Sequence, residues 1–254
     1  MTFLLLGVAA FLAGGLNAVA GGGTFLVFPA LVMGGMPAIM ANATSAVGVL
    51  PGYISSAATF RGDIAPVQGV GIPGLVIIGL AGGLAGALLL LITPAKAFDI
   101  LVPWLLLAAT ALFAAGPRLA PALRGRAATS KAGGSKTRAV LVLFTVSLYG
   151  GYFNGGLGIL LLAVFGLLGL TNINTMNGLK NVLSAVLAAM AAVAFAIGGV
   201  VSWPEAAIIM GASTCGGYVG AKLSRNLPQA LLRAGIVLVG LIMSIAFFIK
   251  VWGA

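Results

Sequence analysis

The chain has 254 residues, 61% of them hydrophobic and only 6% charged, and its mean hydropathy is +1.20. That composition excludes a soluble globular domain, so lipid is the solvent to reason with. Lys and Arg number 13 against 3 acids, giving a net charge of +10; with no His and a single Cys, Cys215, an internal disulfide and a His-based metal site are excluded, and no cofactor is expected.

A straight crossing takes roughly 20 mainly apolar residues. The first charge-poor block, residues 2–36, starts at Met1 without a basic leader or cleavage site, so no signal peptide is expected. It is too long for one crossing, and a polar break interrupts it at Asn17, Gly21, Gly22, Gly23 and Thr24. A broken or re-entrant helix with a short arm over 25–36 is therefore predicted. The block 40–60 carries Asn42, Thr44 and Ser45 near its start and ends before Arg61 and Asp63; blocks 70–92 and 97–115 follow. Residues 116–138 form a polar connection holding Arg118, Arg124, Arg126, Lys131, Lys136 and Arg138. The positive-inside rule puts this connection in the cytoplasm, where it reads as a solvated loop that sets topology, with no role for nucleic acid. Block 139–170 is broken at Asn154, Gly155, Gly156 and Gly158, leaving a short arm over 159–170. Asn177, Lys180 and Asn181 stand at the start of block 178–200, and blocks 205–222 and 231–252 complete the chain.

These eight blocks fall into two copies. Sliding the sequence by 135 positions pairs Gly23 with Gly158, Leu26 with Leu161, Gly34 with Gly169, Asn42 with Asn177 and Phe60 with Phe195. A slide of 134 pairs Gly82, Gly83, Gly86, Ala87 and Pro94 with Gly216, Gly217, Gly220, Ala221 and Pro228. The expected fold is an all-α membrane protein of two homologous repeats, about four spans each, each with a broken or re-entrant Gly-rich first helix. The first repeat covers 1–115, the basic connection 116–138 and the second repeat 139–254. Loop charge favours inverted repeats: Lys222, Arg225 and Arg233 then share the cytoplasmic side with the connection, while Lys96, Asp99 and Glu205 lie outside. Tyr53, Arg61, Tyr149, Tyr152 and Trp203 can be read as interface anchors, Arg61 and Trp203 most plainly.

Backbone that leaves helical geometry inside a bilayer exposes groups that only protein or a water-filled cavity can satisfy. The two breaks are therefore candidate cavity linings. Gly21, Gly22 and Gly23 can present N–H groups at the start of the following arm, where a helix N-terminus favours an anion. Asn17, Thr24, Asn42, Thr44, Ser45, Asn154, Asn177 and Asn181 add neutral polar groups, and Lys180 adds a cation whose burial is expensive unless it has a function. Gly82 with Gly86 and Gly216 with Gly220 read instead as close helix packing. Asp63, Asp99 and Glu205 stand at segment ends, outside any obvious proton relay.

The Asn17–Pro29 run with its triple Gly, the Ala41–Ser45 run, Gly150–Gly158 and Met176–Asn181 together resemble the TauE/SafE family of sulfite and organosulfonate exporters, over nearly the whole chain. The resemblance implies a multi-pass permease of a bacterial inner membrane that moves small sulfur-containing anions out of the cytoplasm. A sulfonate head could then take N–H groups from both breaks, the Thr44 and Ser45 hydroxyls and the Lys180 charge, as substrate-binding groups. The expected activity is alternating access around a central site, with an anion channel or an intramembrane enzyme as alternatives. The partners expected are a small anion and the bilayer, with a homo-oligomer possible.

Overall fold

The computed structural model describes residues 3–19, 21–67, 69–129, 136–223 and 229–252. Among them are ten α-helices: α1 (Phe3–Val19), α2 (Thr24–Met33), α3 (Ala38–Thr59), α4 (Ile72–Ile92), α5 (Ala95–Thr129), α6 (Lys136–Tyr152), α7 (Leu157–Leu167), α8 (Ile173–Ile197), α9 (Trp203–Leu223) and α10 (Gln229–Trp252). Both long blocks are broken as expected, α1 from α2 and α6 from α7. Arms of 10 and 11 residues replace the predicted 25–36 and 159–170. The α4 and α8 helices are long and apolar enough to cross a membrane by length and composition. Large apolar side chains such as Leu4, Ile77, Ile92, Leu141, Ile197 and Ile249 are exposed around the bundle, as suits a lipid-facing rim. The connection expected to be a polar loop continues α5 as helix through Thr129; Lys131 and Arg225 lie outside the described residues.

The halves pack crosswise. α1 of the first half lies along α9 of the second, and α6 of the second lies along α4 of the first. α3 packs on α8 and α9, α4 packs on α8 as well as α6, and α5 pairs with α10. Glycine makes this possible, because in lipid helices associate through close packing and not through hydrophobic burial. Gly82 faces Ser147 and Leu148, Gly83 faces Leu187, and Gly86 faces Leu148 and Gly151. In the other half Gly216 faces Phe11, Gly217 faces Gly52, and Gly220 faces Gly15.

The same neighbours give helix directions. Along α1, Gly7, Gly14 and Gly15 meet Ile208, Ser213 and Gly216, so α1 and α9 run the same way. Along α3, Gly48 and Gly52 meet Ile209 and Ser213, and Ser56 bonds the Gly217 carbonyl, so α3 also runs with α9. α4 runs with α6, Gly82 meeting Phe144 and Gly86 meeting Tyr152, and with α8, Gly79 meeting Leu183 and Gly83 meeting Leu187. Against this, α3 opposes α8: Gly178 meets Phe60, whereas Thr44 reaches Ser202 at the far end. The α5–α10 pair is antiparallel as well, Trp104 meeting Phe248 edge to face and Thr110 meeting Gly240. Since α1 and α3 share a direction, the chain between them must return, and Gly23 indeed comes back alongside Ala13.

Candidate functional site

At the first break the chain turns through Gly21, whose φ of +83° lies in the left-handed region that a side chain disfavours. Its N–H bonds the Leu16 carbonyl at 2.9 Å, and the Gly23 N–H donates to Asn17 Oδ1 at 2.8 Å. Asn17 therefore caps α2 from the end of the preceding helix. The expectation that the glycine N–H groups stand free for a ligand is not met at Gly21 or Gly23, because the reversal itself uses them. Near the end of α1, the Ala18 carbonyl accepts from Lys180 Nζ at 3.2 Å and Asn181 Nδ2 at 3.5 Å. Lys180 Nζ donates also to Asn177 Oδ1 at 2.9 Å, and the side chain is 0% exposed. An ammonium has three donors, so two neutral oxygens neither exhaust its hydrogen bonding nor balance its charge.

The second break is built alike. The chain leaves α6 with the Phe153 N–H bonded to the Tyr149 carbonyl at 2.7 Å and turns through Gly156, whose φ is +73°. Its carbonyls are met from other elements. Asn42 Nδ2 donates to Tyr152 at 3.0 Å, Thr24 Oγ1 to Asn154 at 2.9 Å and the Tyr149 hydroxyl to Gly155 at 2.7 Å. The Tyr53 hydroxyl reaches Asn154 Oδ1 at 3.3 Å. The two breaks touch at Gly21 and Gly158, each of which a Cβ on the other would strike.

The predicted residues thus fall into two clusters that meet at one point. Asn17, Gly21, Gly22, Gly23, Asn177, Lys180 and Asn181 surround the first break; Thr24, Asn42, Asn154, Gly155, Gly156 and Gly158 surround the second. Thr44 and Ser45 do not join Lys180. Thr44 Oγ1 accepts from the Ser202 N–H at 3.0 Å, and Ser45 Oγ donates to the Asn42 carbonyl at 2.9 Å. A cradle of hydroxyls and ammonium in one place is replaced by a charged cluster and a neutral one.

Two participants escaped the sequence reading. Tyr53, read as an interface anchor, is 1% exposed and points into the second cluster. Its signal was spacing, for Asn42, Ser45, Val49 and Tyr53 lie on one face of α3. Ser184 is buried one turn beyond Lys180 on the polar face formed by Asn177, Lys180 and Asn181. Asn17 Nδ2, Asn154 Nδ2, Asn181 Oδ1 and Ser184 Oγ are buried polar atoms with no hydrogen-bond partner among the described residues. Such atoms are costly and in native proteins call for a ligand, a water or a functional reason.

Residues 6–247, which include both breaks and every helix that contacts them, match the family described as sulfite exporter TauE/SafE. The chain belongs to the TauE/SafE family. Its relatives include a probable membrane transporter protein of Haemophilus influenzae, 29% identical over 92% of this chain and 89% of the relative. The probable membrane transporter protein YfcA of Escherichia coli K12 is 27% identical over 95% of this chain and 88% of its own length. No solved structure matches. As a TauE/SafE member the chain is a membrane transporter.

Proposed function

We propose that this TauE/SafE protein exports small sulfur-containing anions, sulfite or organosulfonates such as sulfoacetate, across the inner membrane by alternating access. One observation carries the reading: the Lys180 ammonium is wholly buried at a helix break, between the two halves, and its hydrogen-bond partners among the described residues are neutral. A buried cation with spare hydrogen-bonding capacity is costly unless an anion visits it. The family description names sulfite, a small anion whose charge complements a buried cation.

The two repeats are inverted in this reading. Its support is the set of helix directions: α1 with α3 and α9, against α4 with α6 and α8, and α5 against α10. Every helix of the first half then opposes its repeat partner in the second. Arg61, Lys136, Arg138 and Lys222 gather at one end of the bundle, Lys96, Asp99 and Glu205 at the other, and the positive-inside rule makes the first end cytoplasmic. Ala18 clusters with Phe60 and Ala221, so the charged break lies toward the cytoplasm and the neutral break toward the outside. An anion is captured on the side it leaves, and an inside-negative potential favours its exit. The contact of Gly21 with Gly158 separates the clusters, which favours a carrier over an open channel.

The test replaces Lys180 by Met, an unbranched side chain one atom shorter and without the charge. Sulfite efflux from proteoliposomes should fall by about tenfold or more, while thermal stability in detergent holds or rises, because a buried charge exchanged for an apolar isostere is often neutral or stabilising. Unchanged efflux would remove Lys180 from the site and the reading with it.

A further inference from the structure

The charged cluster is chemically two-sided. It offers donors, the uncommitted hydrogen of Lys180 Nζ and Asn17 Nδ2, together with an acceptor, Asn181 Oδ1, and neither amide atom has a hydrogen-bond partner among the described residues. The orientations of both amides are fixed by their other halves. Asn17 Oδ1 accepts from the Gly23 N–H at 2.8 Å, a bond lost if that amide turned over, and Asn181 Nδ2 lies 3.5 Å from the Ala18 carbonyl, so turning this amide would set its Oδ1 against another oxygen. Asn17 is 2% exposed and Asn181 0%, and Asn181 and Lys180 both bond the carbonyl of Ala18, the residue that follows Asn17. A fully ionised oxyanion has acceptors alone. It would satisfy Asn17 and Lys180 but leave Asn181 Oδ1 buried against negative oxygens, with an unmade hydrogen bond and a repulsion. Charge points the same way, because Lys180 is the cation of this cluster and one ammonium balances one negative charge.

Resting on the anion-export reading, we propose that the preferred ligand of this cluster is a singly charged oxyanion that also carries one hydrogen-bond donor, an O–H or N–H, which Asn181 Oδ1 accepts. The donor has two chemical sources. It can sit on the sulfur itself, as in the hydrogen form of sulfite, or on a short substituent, as in a hydroxysulfonate. Either leaves the anionic oxygens for Lys180 and Asn17.

Three probes test this on the full chain in detergent, by displacement of radiolabelled sulfite. Sulfamate and methanesulfonate have the same shape and charge, but only sulfamate has N–H donors, and these are on sulfur. Isethionate carries its donor at the end of a two-carbon tail. We expect sulfamate or isethionate to displace sulfite at about tenfold lower concentration than methanesulfonate, the penalty for one unsatisfied buried acceptor. The stronger of the two identifies where the donor sits. Replacing Asn181 by Leu removes the acceptor, and the preference should collapse toward equality in that variant. Equal displacement by all three in the unaltered protein would overturn the donor requirement and leave the anion reading standing. Absence of sulfite binding altogether would overturn both, and a preference that persists in Asn181→Leu would overturn the assignment to Asn181. Because the comparison in the unaltered protein decides the requirement, a variant that fails to fold does not spare it.

Discussion

Gly21 and Gly158 meet backbone to backbone: a Cβ on Gly21 would lie 2.5 Å from the Gly158 Cα. The two breaks thus meet at one contact, with the charged cluster around the first and the neutral cluster around the second. Gly21 also has a φ of +83°, whereas Gly158 lies within helix α7.

Alanine at either position should therefore separate the breaks. Gly21→Ala meets both the collision and a left-handed backbone costing about 1–2 kcal/mol, while Gly158→Ala meets the collision with little backbone penalty. We expect both to lose most sulfite efflux, with Gly21→Ala the less stable by thermal denaturation in detergent. Normal efflux in Gly158→Ala would mean that the contact is not needed for transport.

The two breaks and the buried place of Lys180 were legible in the sequence because each violates what lipid demands: glycine and asparagine interrupt an apolar run, and a lone charge sits inside one. Which break each polar residue serves was not legible. The halves dock crosswise, so Asn42 of the first half reaches the second break and Lys180 of the second half reaches the first. Repeat-equivalent positions such as Ser45 and Lys180 are thereby sent to opposite clusters, and no spacing within one half records that. The helix over 116–129 was hidden for another reason. Apolar content drops there, but the stretch is rich in Ala, Arg and Leu, which favour helix whether or not it is buried.

Asn17 distinguishes a capping role from a binding role. Asn17→Ala removes the acceptor for the Gly23 N–H and should cost about 1–3 kcal/mol of stability. Asn17→Asp keeps an acceptor for that N–H but places a negative charge beside the Lys180 cluster. Sulfite binding should then fall by about tenfold or more, as two like charges compete for one ammonium, while the fold is kept. Normal sulfite binding by the Asn17→Asp variant would leave Asn17 a cap and nothing else.

Packing glycines should respond to position, not to helix membership. Within α9, Gly216 is packed against the Phe11 carbonyl, whereas Gly211 has nothing within 4 Å of where a Cβ would stand. Gly216→Ala should push α1 from α9 and lower the thermal midpoint sharply. Gly211→Ala should be neutral or stabilise by about 0.5–1 kcal/mol through helix propensity. Equal effects at the two sites would argue that α1 and α9 are not in close contact.

Repeat inversion is tested by two glycines that occupy the same place in the two halves. Gly35 follows α2 and Gly169 follows α7, with φ of +91° and +84° and open space around both. Cysteine at either position pays a similar backbone cost and meets no steric barrier, so the two differ only in the side of the membrane they face. With Cys215 replaced by Ser, a membrane-impermeant maleimide applied to intact spheroplasts should label Gly35→Cys at once and Gly169→Cys only after permeabilisation. Parallel repeats would put both cysteines on one side and give a single labelling pattern. The inverted arrangement requires the two to differ, because α3 and α8, which follow these glycines directly, start at opposite ends of the bundle.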